Sequence, residues 1–240
     1  MTQLKKHLQK SVAILILTFP LLSLADWQTT NVQFLRGNGY KLGTEDKTIM
    51  TFEHADDWKY GEDYFFFDVA QPTESTSSIY GEFSPSWSLT KTFGIKPDTD
   101  LISDVRFTGT LEMGNGVHNR LLGVGFNLHI PAFTYFKLNL LARDNPDQSG
   151  ITDQVTLAWL VPLTLVDHRF VITGFADLAG AEGHLRANEL IVPQFLWDLN
   201  HYVENTNQLY IGVEYQYWHN KAGVAGVNES VTQAMLKWVF

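Results

Sequence analysis

The last ten residues alternate with a period of two and stop on phenylalanine. Counting back from Phe240, one face carries Trp238, Leu236, Ala234 and Thr232, and the other carries Val239, Lys237, Met235, Gln233 and Val231. Such a strand divides an apolar environment from a wetter one. A soluble protein rarely finishes on its most aromatic strand. A barrel in the outer membrane must close its last strand on its first so that no backbone edge meets lipid, and an aromatic C-terminus at the interface suits that arrangement.

The same alternation recurs along the chain. In 119–130, Leu122, Val124, Phe126, Leu128 and Ile130 oppose Leu121, Gly123, Gly125, Asn127 and His129. In 208–218, Leu209, Ile211, Val213, Tyr215 and Tyr217 oppose Tyr210, Gly212, Glu214, Gln216 and Trp218. Segments 104–113 and 133–143 repeat the pattern, and 30–35, 47–54, 59–69, 79–91, 153–163, 168–178 and 187–197 follow it more weakly. Each clear segment has about ten residues, the length of a tilted membrane strand. With the last strand they make about twelve, an even number, as expected when both termini lie on the periplasmic side. Tight turns at Pro131-Ala132, 55–58 and 164–167 alternate with longer loops at 37–46, 70–78, 114–118, 144–150, 179–186 and 220–229. None of these loops can form a large plug, so selectivity is expected from the barrel wall. A soluble barrel would alternate too, with its apolar face inward. Alternation alone does not say which face is inside.

Residues 1–25 read as a cleaved secretory signal. Lys5, Lys6 and Lys10 precede an apolar core, and Ser23-Leu24-Ala25 supplies small residues for cleavage after Ala25. That core of about 14 residues would reach about 21 Å as a helix, short of the roughly 30 Å of a hydrocarbon layer. Residues 26–240 then form one barrel domain. Removing three lysines and no acids takes the formal charge from -9 to -12, which disfavours nucleic acid and anionic lipid surfaces as partners. Cysteine is absent, so disulfides and thiolate metal sites are excluded.

The segments 51–69, 111–114 and 119–127, together with Tyr217-Trp218-His219 before a glycine-containing loop, resemble the nucleoside-specific channel family of the outer membrane, the Tsx-like proteins, and especially its OmpK-like branch. The resemblance runs from Trp27 to Phe240. It implies a monomeric twelve-stranded barrel whose lumen admits nucleosides.

If Trp238 and its mates face lipid, parity places Asp104, Arg106, Glu112, Lys137, Asn139, Arg143, Glu214, Gln216 and Lys237 in the lumen. Tyr135, Tyr210 and Trp218 join them. The strand from Ile79 adds Tyr80, Glu82, Ser84, Ser86 and Ser88. The run 64–67 contributes on either register; Tyr64 and Phe66 from it, with Asp68 next on the same face, are taken as lumen members. Mixed charge with aromatic rings suits a neutral solute that has a flat face and a hydroxyl-bearing end, as nucleosides do. Lumen charges also pair merely to satisfy one another, and a closed barrel recognised through its loops by phage or host is the competing reading. No cofactor is expected, and no zinc or nucleophile–His motif points to an enzyme. Mass spectrometry of the exported protein should find Asp26 at the N-terminus, and an uncleaved Met1 form in the envelope would refute the signal reading.

Overall fold

The computed structural model describes residues 25–72, 76–95, 97–200 and 208–240. The leader expected at 1–25 lies, apart from Ala25, outside the described residues. Twelve antiparallel strands close into a single up-and-down barrel. In chain order they are β1 (Ala25–Asn38), β2 (Asp46–Trp58), β3 (Gly61–Pro72), β4 (Ser78–Ser88), β5 (Ile102–Gly114) and β6 (Arg120–Leu128). They continue as β7 (Tyr135–Asp144), β8 (Thr152–Leu165), β9 (His168–Ala179), β10 (Asn188–Asp198), β11 (Gln208–His219) and β12 (Glu229–Val239). β1 pairs with β12 from Asn31↔Val239 to Gly37↔Gln233, so no edge is left free.

The apolar face points out. On β5, Arg106 and Thr108 are 2% and 3% exposed while Phe107 between them is 48% exposed. Around the wall Phe34, Met50, Phe83, Leu122, Leu140, Phe195, Val213 and Leu236 are likewise exposed, and Asn31, Gln33, Glu112, Gln154 and Gln233 are buried. A soluble barrel would show the reverse, so this surface is built for hydrocarbon. Near the rim that carries the termini, Tyr60, Trp87, Phe93, Trp238 and Phe240 are exposed and form the aromatic belt of a membrane interface. On the outer face Thr30 Oγ1 lies 2.7 Å from His54 Nδ1, and the His54 ring sits 5.3 Å from that of Phe65.

Turn chemistry sets the hairpins. Ile130 to Phe133 is a β-turn closed by a Phe133 N–H to Ile130 O bond of 3.1 Å, with Ala132 at φ 74° where its geometry requires a positive angle. The two-residue turn after β8 holds Val166 at φ 55°, a value that such turns demand even of a β-branched residue.

Two expectations fail at the terminal rim. The segment 55–58, read as a tight turn, is the end of β2, and the chain turns at 59–60. The segment read as a strand over 79–91 ends at Ser88, whose side chain accepts the Lys91 N–H at 2.9 Å and caps a short helix, α1 (Leu89–Phe93). The connection from β4 to β5 therefore spans 89–101 and is not a short turn. It is tied down by Trp87 Nε1 donating to Thr92 Oγ1 at 2.7 Å and by an ion pair between Lys91 and Asp57.

Val213→Arg, in the middle of the outer face of β11, should cost about 2–4 kcal/mol in equilibrium unfolding from lipid vesicles. A loss below about 0.5 kcal/mol, the range of an ordinary surface change, would mean that this face does not meet hydrocarbon.

Candidate functional site

The lumen is lined by alternate residues of every strand, and all fourteen residues singled out as solute contacts lie on it. Their parity is fixed by pairing: Glu82 stands opposite Glu112 and Phe66, Tyr80 opposite Asp68, and Arg106 opposite Gly125. Lys137, Asn139 and Arg143 share the inner face of β7, and Tyr210, Glu214, Gln216 and Trp218 that of β11.

These side chains sort into tiers. Nearest the rim with the termini, Glu62 receives Lys137 Nζ at 2.8 Å and pairs with Arg106. Lys137 on β7 reaches Glu62 on β3 past three intervening strands, so this tier crosses the lumen. Arg106 lies flat along the wall because its cross-strand partner is Gly125; a Cβ there would come within 3.1 Å of its guanidinium and clash with Asn139. The next tier centres on Glu53, which accepts from Asn31 at 2.8 Å and from the Tyr64 hydroxyl at 3.1 Å, with Lys237 at 3.4 Å.

Higher up, Asp68 accepts from Thr51 at 2.5 Å. Glu214 accepts from Gln194 and Gln233, each at 2.7 Å. Near the opposite rim, Arg143 grips Glu112 through both guanidinium nitrogens, at 2.5 and 2.7 Å, and also donates to Gln154 at 2.6 Å. Gln154 and Thr156 in turn bond Asp177, at 3.0 and 2.5 Å, and Tyr80 donates to Glu82 at 2.7 Å. Along β3 and β4 the rings of Tyr64, Phe66 and Tyr80 follow one another at centroid spacings of 6.0 Å. They form a continuous aromatic strip beside the charged tiers.

An apolar patch interrupts the polar lining: Leu35, Leu196, Tyr210 and Met235 make a buried cluster, with Ile49, Val171 and Val239 packed against it, on the same strands that carry Gln33, Glu214, Gln233 and Lys237.

Several lumen residues were not anticipated. Glu53, Glu62, Asn31 and Asp177 sit on strands whose alternation is weak, although extending the parity of Tyr64 back to Glu62 would have reached one of them. Two loop residues join the wall at the mouth: Tyr40, in the loop after β1, is buried and its hydroxyl donates to Gln233, while Lys221, in the loop after β11, pairs with Glu229 at 2.6 Å.

No family model and no curated protein matches this sequence. Among solved structures, the barrel is similar to a KdgM porin, with a TM-score of 0.52 and 9% identity over 88% of this chain and 99% of that one. The KdgM porin in complex with disordered oligogalacturonate gives a TM-score of 0.51 and 10% identity, again over 88% and 99%. Omp33 of Acinetobacter baumannii gives a TM-score of 0.42 and 12% identity over 90% of this chain and 98% of that one. The first two share the fold. The protein is an outer-membrane β-barrel. Its tiers therefore run from Glu62, on the periplasmic side with the termini, to Glu112 and Glu229 on the extracellular side.

Arg143 and Glu112 are both largely buried in this outer-membrane barrel, at 18% and 8% side-chain exposure. Arg143→Met, which leaves Glu112 buried without its charged partner, should cost about 3–5 kcal/mol of unfolding free energy. Adding Glu112→Gln should recover most of that loss, and equal destabilisation by the single and double changes would show that the pair is not coupled.

Proposed function

We propose that this outer-membrane barrel is a passive diffusion channel for nucleosides or similar small polar solutes. The observation that carries the reading is the lumen lining: a strip of Tyr64, Phe66 and Tyr80 runs beside Glu53, Glu82, Arg106 and Asn139, so a flat ring can stack while hydroxyl groups exchange hydrogen bonds from tier to tier. Stacking of a base on one aromatic ring contributes about 1–3 kcal/mol, enough to recruit a solute without trapping it. The sequence likeness to the nucleoside channels in 51–69 and 119–127 agrees, because 51–69 contains Tyr64 and Phe66. Passage needs neither energy nor cofactor, and the closed wall requires no second subunit.

Cargo follows from charge. Carboxylates outnumber cations on the lumen face, where Glu53, Glu62, Asp68, Glu82, Glu112, Asp177 and Glu214 face Arg106, Lys137, Arg143 and Lys237. An acidic oligosaccharide such as oligogalacturonate, the ligand named with the KdgM porin, would meet net repulsion here. Neutral solutes would not.

A second reading has its own observation. The Lys137–Glu62 bridge crosses the lumen, which suits a closed barrel acting as a surface protein that phage or host recognise through its loops. One experiment separates the two. Purified protein in liposomes should pass adenosine or thymidine faster than a sugar of similar size, the nucleoside should block its ion conductance, and Lys137→Met should raise unit conductance about twofold by clearing the crossing tier. No flux from a folded barrel, in the unaltered protein and in Lys137→Met alike, would sink the channel reading and leave the surface protein.

A further inference from the structure

At the extracellular mouth a lysine of the chain occupies a site with the chemistry of an ammonium receptor. Lys221 Nζ meets both carboxylate oxygens of Glu229, at 2.7 and 2.6 Å, and lies 5.0 Å from the centroid of the Trp218 ring and 5.9 Å from that of Tyr40. Glu229 is 1% exposed and stands opposite Trp218 across the β11–β12 pair, so the carboxylate and the indole are fixed by register. The carboxylate is oriented by Gln216 and by the Lys41 N–H at 2.5 Å, and Tyr40 is anchored through its hydroxyl to Gln233. A buried, oriented carboxylate with aromatic walls is the arrangement that recognises alkylammonium groups.

Two further observations say that the lysine is a guest rather than part of the wall. It belongs to the loop, not to a strand, and its neighbours Asn220 and Ala222 both sit at positive φ, 45° and 53°, a conformation that L residues adopt at a cost. Burial also pulls the Lys221 ammonium below its usual pKa against the attraction of Glu229, as expected of a cation taken out of water.

We propose that Tyr40, Trp218 and Glu229 form a binding cage for the ammonium group of an amine-bearing solute, and that Lys221 fills this cage in cis until such a solute displaces it. The cage stands at the mouth of the lumen, so on the channel reading above it admits amine-bearing solutes alongside neutral ones. A tethered competitor acts like a ligand at millimolar effective concentration, and removing it should tighten apparent affinity by about tenfold or more.

The test is calorimetric titration of the refolded, full barrel in detergent micelles with n-butylammonium chloride and with choline chloride. Lys221→Ala should bind at least about tenfold more tightly than the unaltered protein, and adding Glu229→Gln should abolish the gain. Folded Lys221→Ala that binds no better than the double variant overturns the cage and leaves Lys221 as a loop latch. A second measurement needs no substitution: tetramethylammonium, which has no acylatable nitrogen, compared with sodium at equal ionic strength, should speed acetylation of Lys221 in the unaltered protein, followed by peptide mass spectrometry. An unchanged rate there also counts against the cage. Neither readout uses flux, so a barrel that binds ammonium but conducts nothing refutes the channel alone, and one that conducts but binds no ammonium refutes the cage alone.

Discussion

Closure of β1 on β12 is the constraint on which the rest of the structure depends. In hydrocarbon an unpaired backbone N–H or C=O costs several kcal/mol, and a sheet can satisfy all of its groups only by meeting itself. The seven partner pairs from Asn31↔Val239 to Gly37↔Gln233 do this, and the Phe240 N–H continues the seam to Thr30 O at 3.0 Å. Once the wall is closed, the two-residue period leaves each side chain only two destinations. Apolar ones go to lipid, and nearly everything polar goes inward.

The lumen chemistry follows from that sorting. Charges forced into a narrow interior must be paired there, because a lone buried ion is expensive. Glu62 with Arg106 and Lys137, Glu53 with Lys237, and Glu112 with Arg143 are the pairings that result, while Asp177 accepts from Gln154 and Glu214 from Gln194 and Gln233. The same contacts that stabilise the barrel are hydrogen-bonding positions that a solute can borrow. This is why the tiers serve both as structure and as candidate path. The glycines belong to this design as well: Gly125 lets Arg106 lie along the wall, and Gly174, at φ 153°, is roofed on the lipid side by Trp159.

The sequence carried the strands and the facing of the lumen residues, but not the contacts among them. Parity from Trp238 placed Arg106, Glu112, Lys137, Arg143, Glu214 and Trp218 correctly, because a period of two survives any amount of barrel tilt. It failed where alternation is interrupted, as at Ser88, where a side-chain cap ends the strand, and it left Glu53, Glu62 and Asp177 unnoticed. Loop residues escaped entirely. Tyr40 and Lys221 lie 181 positions apart in the chain and near each other in space because β12 returns beside β1.

What the sequence by itself determined is therefore the local and periodic part: twelve amphipathic strands, an aromatic terminus and a polar face against an apolar one, each a consequence of neighbouring side chains pointing in opposite directions. Only the tertiary structure decided that the apolar face is the outer one, that Lys137 crosses to Glu62, that Leu35, Leu196, Tyr210 and Met235 gather into one lumen cluster, and that a loop lysine rests between Tyr40 and Trp218. Those facts depend on how far the closed sheet curves before distant strands face each other. Curvature is a property of the whole ring of hydrogen bonds, and no segment of the chain contains it.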